Sequence, residues 1–358
     1  MKTLREDLHV LAEQAPAVDL ADRAVRGARR RGAARLAVAA VAAVCAIGGG
    51  GTVILQQVNA RPPIVLSPPG ITVPPLPAKG VGPVEQLYRP RCEDCDARVW
   101  RLVTRGGDTY ELAGGPENGP VEATADGRRI AYYSPALRTI VVRDLATGEV
   151  WKSPLEQPEQ DFAVEYALRL SPGGLRFVVS GWGGRKQPNK LVDVERGTVT
   201  DLKKGWWPVS VADGSGPVVL AKPFDDATRL WVLGREPITV EEFTYDFSAL
   251  APDGHTIARV GTTYDRDRRP MVERDGTIVV SDVMGGAERR IPVSGIADGL
   301  LPARLGGWPS AGEVTLLATP REPDRPAMVY AVDVTTGRAR ELFPLRDDGQ
   351  FVVPGLVR

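Results

Sequence analysis

The stretch "APDGHTIARV", Ala251–Val260, decides how this chain folds. An Asp-Gly turn is followed at once by alternating strand-forming residues. Tight turns of this kind need a residue that tolerates positive φ. The pattern recurs as "TADGRRIAYY" (Thr124–Tyr133), "SPGGLRFVVS" (Ser171–Ser180), "VADGSGPVVL" (Val211–Leu220) and, in weaker form, "PSAGEVTLLA" (Pro309–Ala318). A second hairpin type lies between these copies. It is seen in "RVWRLVTRGGDTYEL", "TIVVRDLATGEVW", "KLVDVERGTVTDL", "RLWVLGREPITV", "TIVVSDVMGGAERRIPV" and "MVYAVDVTTGRARELF". Asp144, Asp193, Asp282 and Asp333 each stand four residues before a turn glycine. That shared register marks a true repeat.

The repeat period, about 40 to 58 residues, is that of a four-stranded propeller blade. With strands named A to D from the ring centre outward, the first hairpin is A–B and the second C–D. Six C–D hairpins stand against five A–B hairpins, and the unmatched C–D hairpin comes first. Its natural partner is the C-terminal tail "DDGQFVVPGLVR". Joining the two ends in one blade would leave no open sheet edge. The sequence therefore predicts an all-β domain over residues 97–358: a six-bladed propeller of four-stranded antiparallel blades, with five or seven blades as alternatives. The pattern "APDGHTIARV…TIVVSDVMGGAERRIPV" resembles the repeats of TolB-like and WD-repeat-like propellers. The Trp-Asp and Gly-His signatures of strict WD repeats are missing, which places the resemblance nearer the TolB-like group. It implies a fold and leaves function open, because such folds carry many activities.

Ahead of the repeats, residues 36–55, "LAVAAVAAVCAIGGGGTVIL", contain no charge. Twenty residues at about 1.5 Å rise span roughly 30 Å, the thickness of a bilayer core. Arg29, Arg30, Arg31 and Arg35 crowd the N-terminal flank, and the next basic residue after the span is Arg61. Positive flanks stay in the cytoplasm. The expectation is a single-pass anchor in the cell membrane, with the N-terminus inside and the propeller extracytoplasmic. A signal peptide cleaved after Ala60 is the alternative, although the apolar run is long for one. Residues 1–35 read as short helices with eight Lys or Arg against five Asp or Glu. They resemble the cytoplasmic lead of bacterial single-pass proteins, some of which pair with sigma factors, and a cytoplasmic protein is a candidate partner there.

Residues 56–96 read as an extracytoplasmic spacer. Nine prolines between Ala60 and Pro90 favour extended polyproline II. "RCEDC" closes this segment. Outside the membrane disulfides persist, so Cys92 and Cys95 read as a short structural disulfide, with a free or redox-active pair as the alternative. Two further zinc ligands are not in sight, and no metal or cofactor is expected.

Zero net charge gives no field for nucleic acid. Two histidines, His9 and His255, leave little for a triad, and His255 sits in a repeat turn. No catalytic residue is assigned. Binding is expected on the face carrying the longer B–C and D–A loops, because variable loops on a rigid scaffold carry recognition. Its candidates are Trp182, Arg185, Lys186, Trp206, Trp207, Arg266, Arg268, Arg269 and Trp308, since aromatics with arginine dominate binding hot spots. The ligand would be a protein, a peptide or a cell-envelope component. Alternatives are a propeller hydrolase or lyase acting on envelope polymers, and a regulator of a sigma factor.

Overall fold

Each repeat turn folds as its glycine requires. Gly127, Gly174 and Gly254 have φ of +73°, +76° and +78°, and each donates its N–H to the carbonyl three residues earlier, on Thr124, Ser171 and Ala251. The computed structural model describes residues 73–90, 99–116, 119–162, 166–181, 188–264, 272–321, 325–346 and 350–356. The helical lead, the apolar span with its arginine collar, and Cys92 and Cys95 lie outside these residues. Among the described residues no helix is long and apolar enough to cross a membrane.

The C–D turns explain the aspartate register. Asp144 Oδ1 accepts from the amides of Ala146 and Thr147, both at 3.0 Å. Asp333 Oδ1 does the same for Thr335 and Thr336 at 2.8 and 2.7 Å. Asp193 and Asp282 accept one turn amide each. In the Asp282 turn the left-handed residue is Gly285, one position before the expected Gly286.

Six sheets form the ring. The first blade begins with β1 (Val84–Arg89), β2 (Arg101–Thr104) and β3 (Thr109–Glu111). The second holds β4 (Val121–Ala123), β5 (Arg129–Ser134), β6 (Thr139–Asp144) and β7 (Val150–Glu156). The third holds β8 (Tyr166–Leu170), β9 (Arg176–Gly181), β10 (Lys190–Asp193) and β11 (Thr198–Asp201). The fourth holds β12 (Trp207–Val211), β13 (Val218–Phe224), β14 (Ala227–Val232) and β15 (Ile238–Val240). The fifth holds β16 (Thr256–Tyr264), β17 (Val272–Asp282) and β18 (Arg289–Pro292). The sixth holds β19 (Leu300–Leu305), β20 (Glu313–Pro320), β21 (Met328–Asp333) and β22 (Ala339–Pro344). Then β23 (Gln350–Val352) returns to pair antiparallel with β1, matching Leu87 to Val352 and Tyr88 to Phe351. The ends of the domain meet in one blade, as the hairpin count predicts.

Each of the six apolar clusters sits at one blade–blade interface. Ile140 and Val142 of the second blade meet Phe177 and Val179 of the third. Ala258 and Ile278 of the fifth meet Leu316 and Tyr330 of the sixth. Leu317 and Val329 of the sixth meet Val353 and Leu356 beside β23. Middle strands are thus covered on both faces, which is why β6 and β21 read as nearly continuous apolar runs. Outer β11 is exposed along its length.

Side chains also fasten the blades. The Arg129 guanidinium pairs with Asp144 and donates to the Gly173 carbonyl of the third blade. Asp213 of the fourth blade in turn accepts from the Gly173 amide at 2.9 Å.

Three boundaries differ from the sequence reading. The blade sheet starts at Val84, inside the segment assigned to the spacer, because Val84 and Leu87 are fully buried between the first two blades. The preceding residues are docked too. Leu76 donates to Glu111, and Gly80 and Val81 donate to Ala146 and Leu145. This strap passes so close to Gly148 that a Cβ there would lie 2.1 Å from the Ala78 carbonyl oxygen. The Cys pair consequently falls in the β1–β2 connection. Finally, the fifth blade has three strands in place of four. Its inner segment makes a single bridge, Phe247 to Arg259, and the Ser248 hydroxyl accepts the Ala258 amide that a ladder carbonyl would otherwise take.

The turn carboxylates carry a pH consequence. Burial raises the Asp144 carboxyl, but bonds from Thr147, Arg129 and Ala146 outweigh it and leave the group below its ordinary value. Asp333 is lowered mainly by the Thr336 and Thr335 amides. Carboxyls lowered in the folded state add stability above their unfolded value, near 3.9, which is lost as pH falls through the folded values. Asp333→Asn is expected to keep the turn, since its amide oxygen still accepts, and to shrink the loss of stability on acidification. Urea midpoints from pH 5 to pH 2.5 check this.

Candidate ligand-binding site

The inner strands border the central channel. Val121 and Ala123 point into the interface cluster, so Glu122 between them faces the channel. In β8 the same alternation turns Leu168 and Leu170 outward and Arg169 inward. Both occupy the same place in the repeat, two residues before the first turn residue. Arg169 Nη1 lies 3.3 Å from Glu122 Oε2, and each side chain is 6% exposed. The same nitrogen donates to the Leu168 carbonyl at 2.9 Å, and Glu122 Oε1 accepts from the Ala123 amide at 3.1 Å.

Above this couple the channel opens, at the A–B turns, into a cavity of about 350 Å³. Its walls include Val209, Val211, Leu250 and Leu356, and its rim includes Ala125 and Pro172. Ser210 accepts from the Leu250 amide at 3.0 Å and ties the fourth blade to the fifth. Trp308 also lines the cavity, its indole Nε1 donating to the Ala249 carbonyl at 2.8 Å. At the other end of the channel, burial pushes the Asp246 carboxyl up, opposed by Arg274 and Arg304.

Of the residues predicted for the B–C and D–A face, Trp182, Arg185, Lys186, Arg266, Arg268 and Arg269 lie outside the described residues. Trp207 is on that face, half-buried. Trp206 is only 8% exposed and packs between the third and fourth blades, 5.3 Å from the Trp231 ring. Trp308 is on the opposite rim, because its loop joins β19 to β20 and is therefore an A–B connection. Sequence reasoning missed Glu122 and Arg169. Aligning the repeats on their turns would have shown a charge at an inner-strand position that is uncharged in the fourth and fifth blades, where Val209 and Ala249 stand.

His255 serves its turn. Its Nδ1 lies 3.2 Å from Asp282 Oδ2, which joins the A–B and C–D turns of the fifth blade. No group of three His, Cys, Asp or Glu side chains is placed to hold a metal among the described residues.

TolB from Acinetobacter baumannii superposes with a TM-score of 0.51 at 17% identity, over 79% of this chain and 68% of that one. The chain is a six-bladed β-propeller structurally similar to TolB. A putative TolB from Agrobacterium tumefaciens gives 0.46 at 14% identity, over 73% of this chain and 88% of that one. An oligogalacturonate lyase from Vibrio parahaemolyticus gives 0.41 at 12% identity, over 75% and 74%. No protein-family model and no curated protein sequence matches the chain. The TolB-like likeness is one of fold alone at these identities.

Proposed function

We propose that this chain is a recognition module, anchored by residues 36–55 with its propeller outside the membrane, that grips a protein, peptide or envelope ligand and performs no chemistry on it. The observation that carries this reading is the channel-mouth cavity. It is concave, largely apolar, and holds a few fixed polar groups, which is how binding sites are commonly built. Its one charged couple is already neutralised within the wall, so a neutral apolar group can enter beside it without stranding a charge. The anchor rests on the uncharged span and its arginine collar.

The cavity yields a direct test. Ala125 and Pro172 are exposed at the rim, so large side chains there fill the mouth while the interfaces stay intact. Full-length chain carrying Ala125→Trp and Pro172→Trp is expected to keep the wild-type melting temperature. It is also expected to lose at least tenfold in affinity for the partner that the wild type retains from an envelope extract. Undiminished capture by the blocked variant would remove the channel mouth as the binding site. Protease added to intact cells should cut the propeller; protection would contradict its placement outside.

A further inference from the structure

The fifth blade supplies its share of the cavity wall without a regular inner strand. In β8 of the third blade every residue from Tyr166 to Leu170 has a ladder partner. The inner segment of the fifth blade is tied to its own sheet on either side of a gap. Val260 donates to the Asp246 carbonyl, Ser248 to that of Ala258, and Ala251 to that of Thr256. Ala249 and Leu250, between these ties, turn to the neighbouring blades. The Ala249 amide donates to the Gly306 carbonyl of the sixth blade at 3.0 Å. The Ala249 carbonyl accepts from the Trp308 indole of that blade at 2.8 Å, and from the Ser248 hydroxyl at 2.6 Å. The Leu250 amide donates to the Ser210 hydroxyl oxygen of the fourth blade at 3.0 Å. Ala249, Leu250, Ser210 and Trp308 all line the cavity.

The two side chains suit this task. A serine hydroxyl has lone pairs for an amide, and an indole nitrogen is a donor only, which fits a carbonyl. Each stands on a part that its own blade fixes. Ser210 is buried in β12, where it pairs with Val219. The Trp308 ring packs against the cluster between the fifth and sixth blades. Its loop is bound to β20, with Gly306 donating to Thr315 and Thr315 to Gly307. Leu250 is half-buried against the cluster between the fourth and fifth blades, so much of its placing falls to these bonds.

We propose that Ser210 and Trp308 are positioning residues of the channel mouth: from the blades on either side they hold Ala249 and Leu250, and so set the width of the cavity and the size of the apolar group it admits. This role rests on the cavity being the binding site. Residues that served stability alone would move the melting temperature and leave the cavity's preference for size untouched.

The full-length chain is to be titrated by calorimetry with the N-acetyl amides of alanine, leucine and tryptophan, three neutral probes of rising size. Hydrogen–deuterium exchange, read by mass spectrometry, follows the wall itself. The wild type is expected to bind at least one amide saturably, and the variant blocked at Ala125 and Pro172 to lose it. Ser210→Ala, and Trp308→Phe, which keeps a ring and loses the donor, should each weaken the preferred amide about fivefold, the worth of one hydrogen bond. Both should narrow the preference between leucine and tryptophan. Both should speed exchange over residues 247–252 about tenfold and leave β13 unchanged. Ser210→Thr keeps the hydroxyl and should behave as the wild type does. Unchanged exchange and unchanged size preference in both variants would overturn the proposal and leave the cavity reading standing. Failure of all three amides to bind the wild type would also overturn it; an envelope partner still lost on blocking Ala125 and Pro172 would show that the cavity reading survives.

Discussion

A chain ending at Arg346 is expected not to fold cooperatively. The deletion removes β23, and with it the innermost strand of the first blade and the pairs Leu87–Val352, Tyr88–Phe351 and Arg89–Gln350. It also empties two interfaces at once. Val352 belongs to the cluster between the first and second blades, and Val353 and Leu356 to that between the sixth and the first. Burying a side chain of this kind contributes about 1.5–3 kcal/mol, so the three together supply roughly 5–9 kcal/mol. A whole domain has only about 5–15 kcal/mol of net stability. The freed edge of β1 would offer unpaired backbone groups to other chains, so aggregation should accompany the loss. A calorimetric scan of the truncated chain should show no sharp transition. A transition within a few degrees of the wild type would mean that the ring is closed by something other than this strand. Leu356→Ala is the milder companion; it is expected to lower stability by about 2–5 kcal/mol while leaving one transition.

The repeat was legible because its turns depend on local chemistry. Asp144 and Asp333 cap their own amides, and Gly127, Gly174 and Gly254 must take positive φ, so these residues mark hairpins wherever they occur. Strands without such turns were harder to see. Val84–Arg89 lies between Pro83 and Pro90 in a proline-rich stretch, and its partner β23 is some 260 residues away, so nothing nearby marks it as a strand. The inner segment of the fifth blade was expected as a strand like the others. Ser248 diverts a ladder hydrogen bond to its side chain there. Faces were legible only where the loop type was right. Trp207 stands where the D–A connection puts it, while Trp308 belongs to an A–B connection of seven residues, Gly306 to Gly312, that lacks the Asp-Gly signature. Trp206 and Trp207 are neighbours in sequence with opposite fates, because successive strand residues point to opposite sides and only one side of this strand is covered by the third blade. The channel couple was not legible from either residue alone. Glu122 and Arg169 are 47 positions apart, and only the packing of the second blade against the third makes neighbours of their inner strands.

That couple gives the second large expected effect. Arg169→Ala leaves the Glu122 carboxylate inside the channel wall without its guanidinium, and removing one partner of a buried pair costs about 3–5 kcal/mol. The side chains are nearly sealed from solvent, so water can compensate little of this. Glu122→Ala should destabilise comparably from the other side. The paired change Glu122→Gln with Arg169→Met removes both charges and keeps most of the volume, and replacing a buried pair in this way is often neutral or stabilising. Its urea midpoint is therefore expected to return close to the wild-type value, well above either single variant. A double variant as unstable as the singles would show that the residues matter for separate reasons and that the couple is no unit. With the fold restored, capture of the channel-mouth partner then separates two roles for the pair. A ligand that only needs an apolar slot should bind the double variant as it binds the wild type. Weaker capture at equal stability would mean that the charges are part of what is recognised, because the walls from Val209 to Leu356 are unchanged.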